Sequence, residues 1–324
     1  MAHVDAPHIP VGRVPDFFVV GQPKSGTTAL YEMLRRHPQI FMPAGKEPWF
    51  FAEELHERTP PRPGGTPQTL EQYTELFAPA APDQRAGEAT VMYLWSRTAA
   101  AAIADVQPHA RIIAILREPA SLLRSLHLQF LESHIEVESD FRRAIALEPA
   151  RREGRDVPRY TYWPQALLYS DHVRYVEQLR RYRERFSQEQ MLLLIYDEFR
   201  ADNEAAVRSV LRFLGVDDTV TIEPVEANPT VQPRSHRLES LVRSVAVGAG
   251  PASRAAKASI RTVTPKRLRR RLHASRRRVV YGSPGPVDEE FAQELRRRFK
   301  PEVVALSEYL DRDLVRLWGY HDVG

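Results

Sequence analysis

The chain of 324 residues contains no cysteine, which excludes disulfide bonds, thiolate catalysis and cysteine metal sites. Its hydrophobic share of 43% supports a sizeable core, and no stretch approaches the roughly 20 apolar residues of a membrane-spanning helix. The formal net charge of +4 is a local feature, because residues 251–280 hold eleven Lys or Arg and no Asp or Glu. The rest of the chain carries a net charge of −7.

The N-terminal residues and the basic segment bear on domain organisation. Residues 1–14 are polar and contain prolines, which predicts a flexible arm without a signal peptide or a membrane anchor. Residues 15–324 are predicted to form a single domain, and mobility is one interpretation of its basic segment, 246–284. Together with the absence of cysteine, these features predict a cytoplasmic protein, whose oligomeric state the sequence leaves open.

The first predicted elements are a strand, a glycine-containing loop and a helix. The apolar residues 17–20 indicate a short buried strand, and residues 21–28 form a loop with two glycines. Apolar residues then recur at helical spacing from 29 to 34. This order of elements is suited to binding phosphate, because loop N–H groups and the positive end of the helix face the anion.

The loop differs from a Walker A loop at one position. That motif is G-x-x-x-x-G-K-[ST], with its lysine directly after the second glycine. Gly21 and Gly26 keep the spacing, but Thr27 occupies the lysine position and Lys24 lies inside the loop. The sequence therefore predicts a phosphate-binding loop in which the ammonium of Lys24 contacts a different part of the phosphate chain than a Walker A lysine does.

The patterns further along the chain alternate between strands and helices. Consecutive apolar residues after Arg111 indicate a strand that is buried on both faces, as in a parallel sheet. The alternation predicts an α/β fold with a central parallel sheet of four or five strands flanked by helices. The other predicted elements are a helix over 68–78, a strand or loop over 87–95, a helix over 98–110 that ends near Pro108, a helix from Pro119 through Phe130, a helix over 165–186, a strand over 191–199 and a helix over 203–214 that ends at Gly215.

Several segments resemble the superfamily of sulfotransferases that use 3′-phosphoadenosine-5′-phosphosulfate (PAPS). PKSGTT follows the first strand, KEPWFF comes next, and LREPASLLRS follows a later strand. Residues 167–199 resemble the family's helix and strand that lead to a Tyr-Asp-Glu pattern, and 297–320 resemble the C-terminal pattern of bacterial and Golgi-type members. The resemblance covers 15–245 and 285–320. It implies a P-loop-like fold, closer to heparan-type and bacterial members than to cytosolic hormone-sulfating ones.

The resemblance implies how the donor is bound. Lys24 and the loop residues 25–28 take the 5′-phosphosulfate, whereas Arg117 and Ser125 take the 3′-phosphate. An arginine at a strand end can form a bidentate, charge-assisted pair with a phosphate, and a serine can donate its hydroxyl. The full set implied for PAPS, and for its product 3′-phosphoadenosine-5′-phosphate (PAP), is Pro23, Lys24, Ser25, Gly26, Thr27, Thr28, Arg117, Ser125, Tyr196, Arg277, Arg278 and Gly282.

The acceptor must lose a proton, and Glu47 in KEPWFF is the predicted general base. Heparan-type and many bacterial members carry their base at this glutamate, so the resemblance implies that role for Glu47. Lys24 would stabilise the charge on the leaving phosphate. Cytosolic members use a histidine upstream of their 3′-phosphate arginine, and the corresponding residues here, 88–96, contain none. The alternative for Glu47 is a solvated loop carboxylate.

Two departures from the heparan-type pattern bear on the acceptor. Glu88 is followed by Ala89 and Thr90 where those members have a lysine, and Trp49 stands where a histidine is often found. Both changes favour an uncharged acceptor. We expect a hydroxyl group of a small molecule or a glycan as acceptor, with no metal, no nucleic acid and no membrane anchor involved.

Two other functions stay open on the sequence alone. A P-loop kinase for nucleotides or small molecules would share the order strand, loop, helix, and it would need magnesium. A nucleic-acid or membrane-surface binding protein would act through the basic residues 254–278. The basic segment can also be interpreted as a solvated arm or, by resemblance, as a cover over the bound donor.

Overall fold

A computed structural model describes residues 12–55, 66–159, 161, 163–223, 225, 232–233, 281–282 and 285–323. The chain divides into two compact units. The first, which we call the sheet unit, comprises Met1–Glu118, Val173–Asn228 and Lys300–His321. The second, which we call the helical unit, comprises Pro119–His172, Pro229–Phe299 and Asp322–Gly324.

Five parallel strands form the central sheet of the sheet unit. They are β1 (Phe17–Gly21), β2 (Ile40–Phe41), β3 (Arg85–Ala89), β4 (Arg111–Leu116) and β5 (Met191–Ile195). Their order in the sheet is β2-β3-β1-β4-β5, so β1 lies between β3 and β4. Every residue of β1 is buried, as expected for a parallel sheet that is covered on both faces. The predicted α/β fold with a parallel sheet of four or five strands is confirmed.

Helices follow most of these strands along the chain. They are α1 (Thr27–Leu34), α2 (Leu70–Glu75), α3 (Ala99–Val106), α4 (Pro119–Glu132), α5 (Phe141–Ala146), α6 (Glu148–Arg152), α7 (Tyr175–Arg183), α8 (Tyr196–Ala201), α9 (Asn203–Leu214), α10 (Glu289–Leu310) and α11 (Leu314–Leu317). Within the described part of the chain, no helix combines the length and the apolar character needed to cross a membrane.

Alternate residues of the buried strands contribute to different apolar layers. Phe17 and Val19 of β1 belong to one cluster, which α1 and α9 cover. Phe18 instead meets Phe51 edge-on, with the ring centroids 5.8 Å apart. The first cluster also contains the buried residues Leu30, Met33, Leu34, Ile113, Ile115, Val207, Val210, Leu211 and Leu214.

The predicted helix over 165–186 is wrong in its extent. The structure has two 3₁₀ turns, Pro164–Leu167 and Tyr169–Val173, and only then the α-helix α7. The backbone leaves helical geometry between these pieces, with ψ values of 80° at Leu168 and 61° at Arg174. Apolar residues three positions apart fit a 3₁₀ turn as well as an α-helix, so periodicity could not separate the two.

The predicted strand over 191–199 is also too long. The strand β5 ends at Ile195, and Tyr196 begins α8, so the Tyr-Asp-Glu pattern lies on a helix. The aspartate and glutamate in the first turn of α8 suit the positive end of that helix.

Part of the predicted domain organisation lies outside the described residues. Of the predicted arm only 12–14 are described, and of the basic segment 246–284 only the backbone of β7 (Tyr281–Gly282). This strand pairs in antiparallel fashion with β6 (Gln232–Pro233) in the helical unit. The division into a flexible arm and a single domain stays a prediction.

A buried ion pair lies inside the helical unit. The guanidinium of Arg151 donates two hydrogen bonds, of 2.7 and 2.8 Å, to the carboxylate of Glu136. Their side chains are 1% and 0% exposed. Tyr169 donates its hydroxyl to the same carboxylate over 3.1 Å, and the backbone N–H groups of Val137 and Glu138 donate to it as well. The carboxylate is therefore well satisfied as long as the arginine is present.

We expect Arg151→Met to lower the free energy of unfolding by about 3–5 kcal/mol, because it leaves a buried carboxylate without its countercharge. Urea denaturation of the whole chain measures the loss. The matched control is Arg152→Met, which removes a 53% exposed arginine from its pair with Asp171 and should cost about 1 kcal/mol at most. Equal losses for the two variants would contradict the importance of the buried pair.

Candidate functional site

The loop between β1 and α1 has an unusual backbone shape. Lys24 and Gly26 both have positive φ, at 60° and 81°. A Cβ atom at Gly26 would lie 2.7 Å from Cε1 of Phe199, so only glycine fits there. Positive φ is uncommon for a lysine, and such strain clusters at ligand-binding sites. The loop is thus held in a set shape by the surrounding structure.

The start of α1 supplies hydrogen-bond donors to this loop. The first backbone hydrogen bond of the helix runs from Leu30 N–H to the carbonyl of Gly26, over 3.0 Å. The N–H groups of the residues before Leu30 therefore have no partner in earlier turns of the helix, and they form a suitable anion site. Ser25 is fully buried, with its hydroxyl 3.4 Å from the carbonyl of Pro23.

Arg117 reaches this loop from the end of β4. Its Nη1 atom donates to the carbonyl oxygen of Lys24 over 2.5 Å, and its guanidinium lies over the ring of Tyr196 at 4.5 Å. Tyr175 donates its hydroxyl to the carbonyl of Arg117 over 2.6 Å, which fixes the end of the strand. Burial lowers the pKa of the Arg117 guanidinium. The structure thus brings together Lys24, Arg117 and Tyr196.

Four other predicted donor residues lie in other segments of the chain. Ser125 is a buried residue of α4 in the helical unit. Gly282 lies in β7, opposite Gln232 of β6. Arg277 and Arg278 lie outside the described residues. The donor-binding roles of these four residues, like those of Lys24, Arg117, Tyr196 and the loop, stay predictions.

The segment that carries Glu47 has a second strained backbone. Glu47 and Trp49 have φ values of 64° and 58°. The N–H of Glu47 donates to the carbonyl of Ala89 over 3.0 Å, which ties the segment to the end of β3. The Glu47 side chain is 25% exposed, so its carboxylate reaches solvent from a largely buried position. An accessible carboxylate on a constrained backbone suits a positioned base.

Lys46 joins the Glu47 segment to the phosphate-binding loop. Its Nζ atom donates to the hydroxyls of Thr28 and Thr27 over 3.0 and 3.3 Å. The same ammonium lies 3.6 Å from Oε1 of Glu47. Burial lowers the pKa of Lys46, and the Glu47 carboxylate partly opposes that effect. The sequence interpretation gave Lys46 no role, although it directly precedes the predicted base.

A buried carboxyl, Glu88, lies in β3 next to this segment. Its Oε2 atom accepts hydrogen bonds from the hydroxyls of Tyr73 and Tyr93 over 2.5 and 3.3 Å, and its Oε1 accepts from Thr90 over 2.5 Å. Burial raises the pKa of Glu88 to about 7. Burial also raises the pKa of both tyrosines, so they remain protonated donors. No pattern in the sequence pointed to this network.

Aromatic rings connect the Glu88 network to the Glu47 segment. Phe50 stacks on Tyr73 with the ring centroids 4.6 Å apart, and Phe51 meets Tyr73 edge-on at 5.0 Å. The backbone N–H of Phe51 donates to the hydroxyl of Tyr93 over 3.2 Å. The aromatic residues that follow Glu47 are therefore packed in place rather than exposed to solvent.

The described residues contain no group of three or more His, Cys, Asp or Glu side chains that could hold a metal ion. The segments at this edge of the sheet also carry three basic residues, Lys24, Lys46 and Arg117. Basic side chains can bind phosphate groups through charge-assisted hydrogen bonds.

Comparison with known proteins identifies similar chains. The family model described as "Sulfotransferase domain" matches residues 14–232. Mouse carbohydrate sulfotransferase 15 is 26% identical over 285 residues, which cover 73% of this chain and 49% of that protein. Mouse heparan sulfate glucosamine 3-O-sulfotransferase 3B1 is 26% identical over 221 residues, which cover 67% of this chain and 50% of that protein. The chain thus spans half or less of the length of these two relatives.

A solved structure has the same fold. The crystal structure of a sulfotransferase from Alicyclobacillus acidocaldarius superposes with a TM-score of 0.65 at 24% sequence identity. The match covers 94% of this chain and 99% of that one. It establishes the shared P-loop-like architecture.

We expect Glu88→Gln to remove a pH-dependent loss of stability. Because the pKa of Glu88 is raised from its ordinary 4.5 to about 7, the folded state binds the proton more tightly than the unfolded state. The parent therefore loses stability as the pH rises through this range, by about 3 kcal/mol in total, whereas a glutamine titrates nowhere. Urea denaturation of both proteins between about pH 4 and pH 8 measures the difference.

The control for this experiment is Glu53→Gln, which changes an exposed carboxylate. It should leave the pH dependence of stability unchanged. A stability difference between parent and Glu88→Gln that stays constant across the pH range would show that Glu88 does not hold its proton as the geometry indicates.

Proposed function

The chain belongs to the sulfotransferase family, and from this membership and the site geometry we propose that it transfers a sulfuryl group from PAPS to an acceptor hydroxyl. One observation carries the proposal. The guanidinium of Arg117 bonds the carbonyl of Lys24, so the residues predicted for the two phosphate ends of PAPS occupy one site. A kinase would need a lysine after Gly26, and Thr27 is found there.

The donor would be held at both ends. The 5′-phosphosulfate would bind the N–H groups at the start of α1 and the ammonium of Lys24. Arg117 stacks its face on Tyr196, and stacking leaves the edge of a guanidinium directed outward for hydrogen bonds. That edge suits the 3′-phosphate. Ser125 on α4 is the predicted second contact to the same phosphate.

Transfer would proceed in line through the sulfur atom. The acceptor oxygen forms a new bond to sulfur while the bond between sulfur and the bridging phosphate oxygen breaks. The acceptor proton passes to the carboxylate of Glu47, and PAP leaves with the bonding electrons on its phosphate oxygen. Lys24 stabilises that developing charge, which is the kind of interaction that lowers a transition-state barrier.

The acceptor is proposed to be a small molecule or a glycan with a hydroxyl group. The residues after Glu47 are aromatic, and no basic residue follows Glu88, which favours an uncharged or weakly charged acceptor. The two mouse relatives are named as sulfotransferases of carbohydrate and of heparan sulfate glucosamine, which supports a glycan as acceptor.

We expect the protein to bind PAP about 10- to 100-fold more tightly than 5′-AMP, because charge-assisted hydrogen bonds reward the 3′-phosphate. Calorimetry measures both affinities. In parallel, PAPS labelled in its sulfuryl group is incubated with the protein, EDTA and a metabolite and glycan extract. Labelled product should form despite EDTA, and Lys24→Ala should reduce kcat by about 10²–10³-fold.

The matched control is Lys300→Ala, which removes a lysine of α10 that is not among the predicted site residues and should leave transfer unchanged. Equal affinity for PAP and 5′-AMP would contradict the proposed binding of the 3′-phosphate by Arg117 and Ser125. Loss of transfer in EDTA, or transfer by Lys24→Ala at the parental rate, would contradict the mechanism.

We expect Glu47→Gln to lower kcat by about 10²-fold or more, because the amide keeps the shape of the side chain but cannot accept the proton. PAP affinity should stay within about twofold of the parent, since Glu47 serves the acceptor. Single-turnover rates with labelled PAPS and calorimetry with PAP separate the two effects. Glu53→Gln is the control on the same segment. A Glu47→Gln variant with parental kcat would identify Glu47 as a loop carboxylate and direct the search for the base to Glu88.

A further inference from the structure

We propose that Lys46 is a second catalytic lysine. Its ammonium contacts the sulfuryl oxygens during transfer and offsets the repulsion between the Glu47 carboxylate and the anionic donor. The inference rests on the proposed function and adds a residue to it. Its basis is the position of one ammonium group between the phosphate-binding loop and the predicted base.

The position of Lys46 follows from three distances. Its Nζ atom lies 3.0 Å from the Thr28 hydroxyl and 3.3 Å from the Thr27 hydroxyl, at the start of α1. It also lies 3.6 Å from the Glu47 carboxylate. In the transfer step the donor sulfur and the acceptor oxygen must come within about 3–3.5 Å of each other. An ammonium that touches the donor loop and the base at once lies beside that line of transfer.

The polarity of these hydrogen bonds supports the same conclusion. An ammonium group only donates hydrogen bonds, so the hydroxyls of Thr27 and Thr28 accept from Lys46. The hydrogen of each hydroxyl is then directed away from the ammonium. Lys46 therefore restricts the orientation of both hydroxyls at the start of α1, where the phosphosulfate is proposed to bind.

The charge balance of the site indicates what the Lys46 ammonium does. A base must be ionised to accept a proton, and the donor is itself an anion, so Glu47 and PAPS would repel each other at close range. Lys46 lies against the Glu47 carboxylate and offsets that repulsion. During transfer the same cation can offset charge on the oxygens of the sulfuryl group, while Lys24 acts on the leaving phosphate.

Burial of this lysine is costly for the fold, which argues against a purely structural role. The Lys46 side chain is only 16% exposed, and burial lowers its pKa. Its partner Glu47 is 25% exposed, so water can solvate the carboxylate when the lysine is removed, and the fold depends little on this pair. A buried ammonium that the fold needs little is better explained by the proposed chemistry.

The test compares Lys46→Met with Lys46→Arg and with the control Lys300→Met. The measurements are single-turnover consumption of labelled PAPS in the extract, calorimetry with PAP, and Tm. For Lys46→Met we expect kcat to fall by about 10²–10³-fold, as for loss of one transition-state donor. Its PAP affinity should stay within about threefold of the parent, because PAP has no sulfuryl group. Its Tm should change little, because the Glu47 carboxylate that remains is partly exposed to solvent. Lys46→Arg keeps the charge and should recover at least about tenfold of the lost rate.

Three outcomes would overturn the proposal. A Lys46→Met variant with parental kcat would show that the ammonium is not needed in transfer. A loss of PAP affinity as large as the loss of rate would assign Lys46 to the donor phosphate. A Tm lowered by several degrees, without recovery in Lys46→Arg, would assign it to holding the segment in place. If instead the parent neither binds PAP nor consumes PAPS, the proposed function itself fails, and Lys46 loses its role with it.

Discussion

The parallel pairing of β3, β1, β4 and β5 is the constraint on which the rest of the site depends. Because parallel strands end at the same edge of a sheet, the chain segments that follow them meet there. Lys24 follows β1, Arg117 follows β4 and Tyr196 follows β5. The strand pairing alone therefore brings residues that are far apart in sequence to one edge of the sheet. The hydrogen bond from Arg117 to Lys24 then joins two of these segments.

The charged groups of the site are placed at a cost to the fold. Burial lowers the pKa of Lys46 and raises that of Glu88. The charged ammonium and the charged carboxylate are therefore both disfavoured at these positions. Lys24 and Glu47 add backbone strain through their positive φ values. By contrast, the ion pair of Glu136 and Arg151 in the helical unit is fully hydrogen-bonded. Buried charge and backbone strain therefore both occur where the proposed chemistry needs preorganised charge.

The Glu88 network gives the Glu47 segment its support. Tyr73 bonds the Glu88 carboxyl and stacks on Phe50, whereas Tyr93 bonds the same carboxyl and accepts from the backbone of Phe51. The aromatic residues after Glu47 therefore hold their segment in place through a network that includes a residue of β3.

The sequence alone determined the alternation of strands and helices, the loop around Lys24 and the arginine after β4, because apolar periodicity and short motifs are local signals. It also marked Glu47 through the resemblance of KEPWFF to a known pattern. It could not show that Lys46 turns its ammonium to Thr27 and Thr28, or that Glu88 is buried among tyrosines. It misjudged the extent of the helix before β5, since a three-residue spacing fits two kinds of helix. Those features depend on which distant segments meet at the sheet edge and how deeply they are buried, and only the tertiary structure decides this.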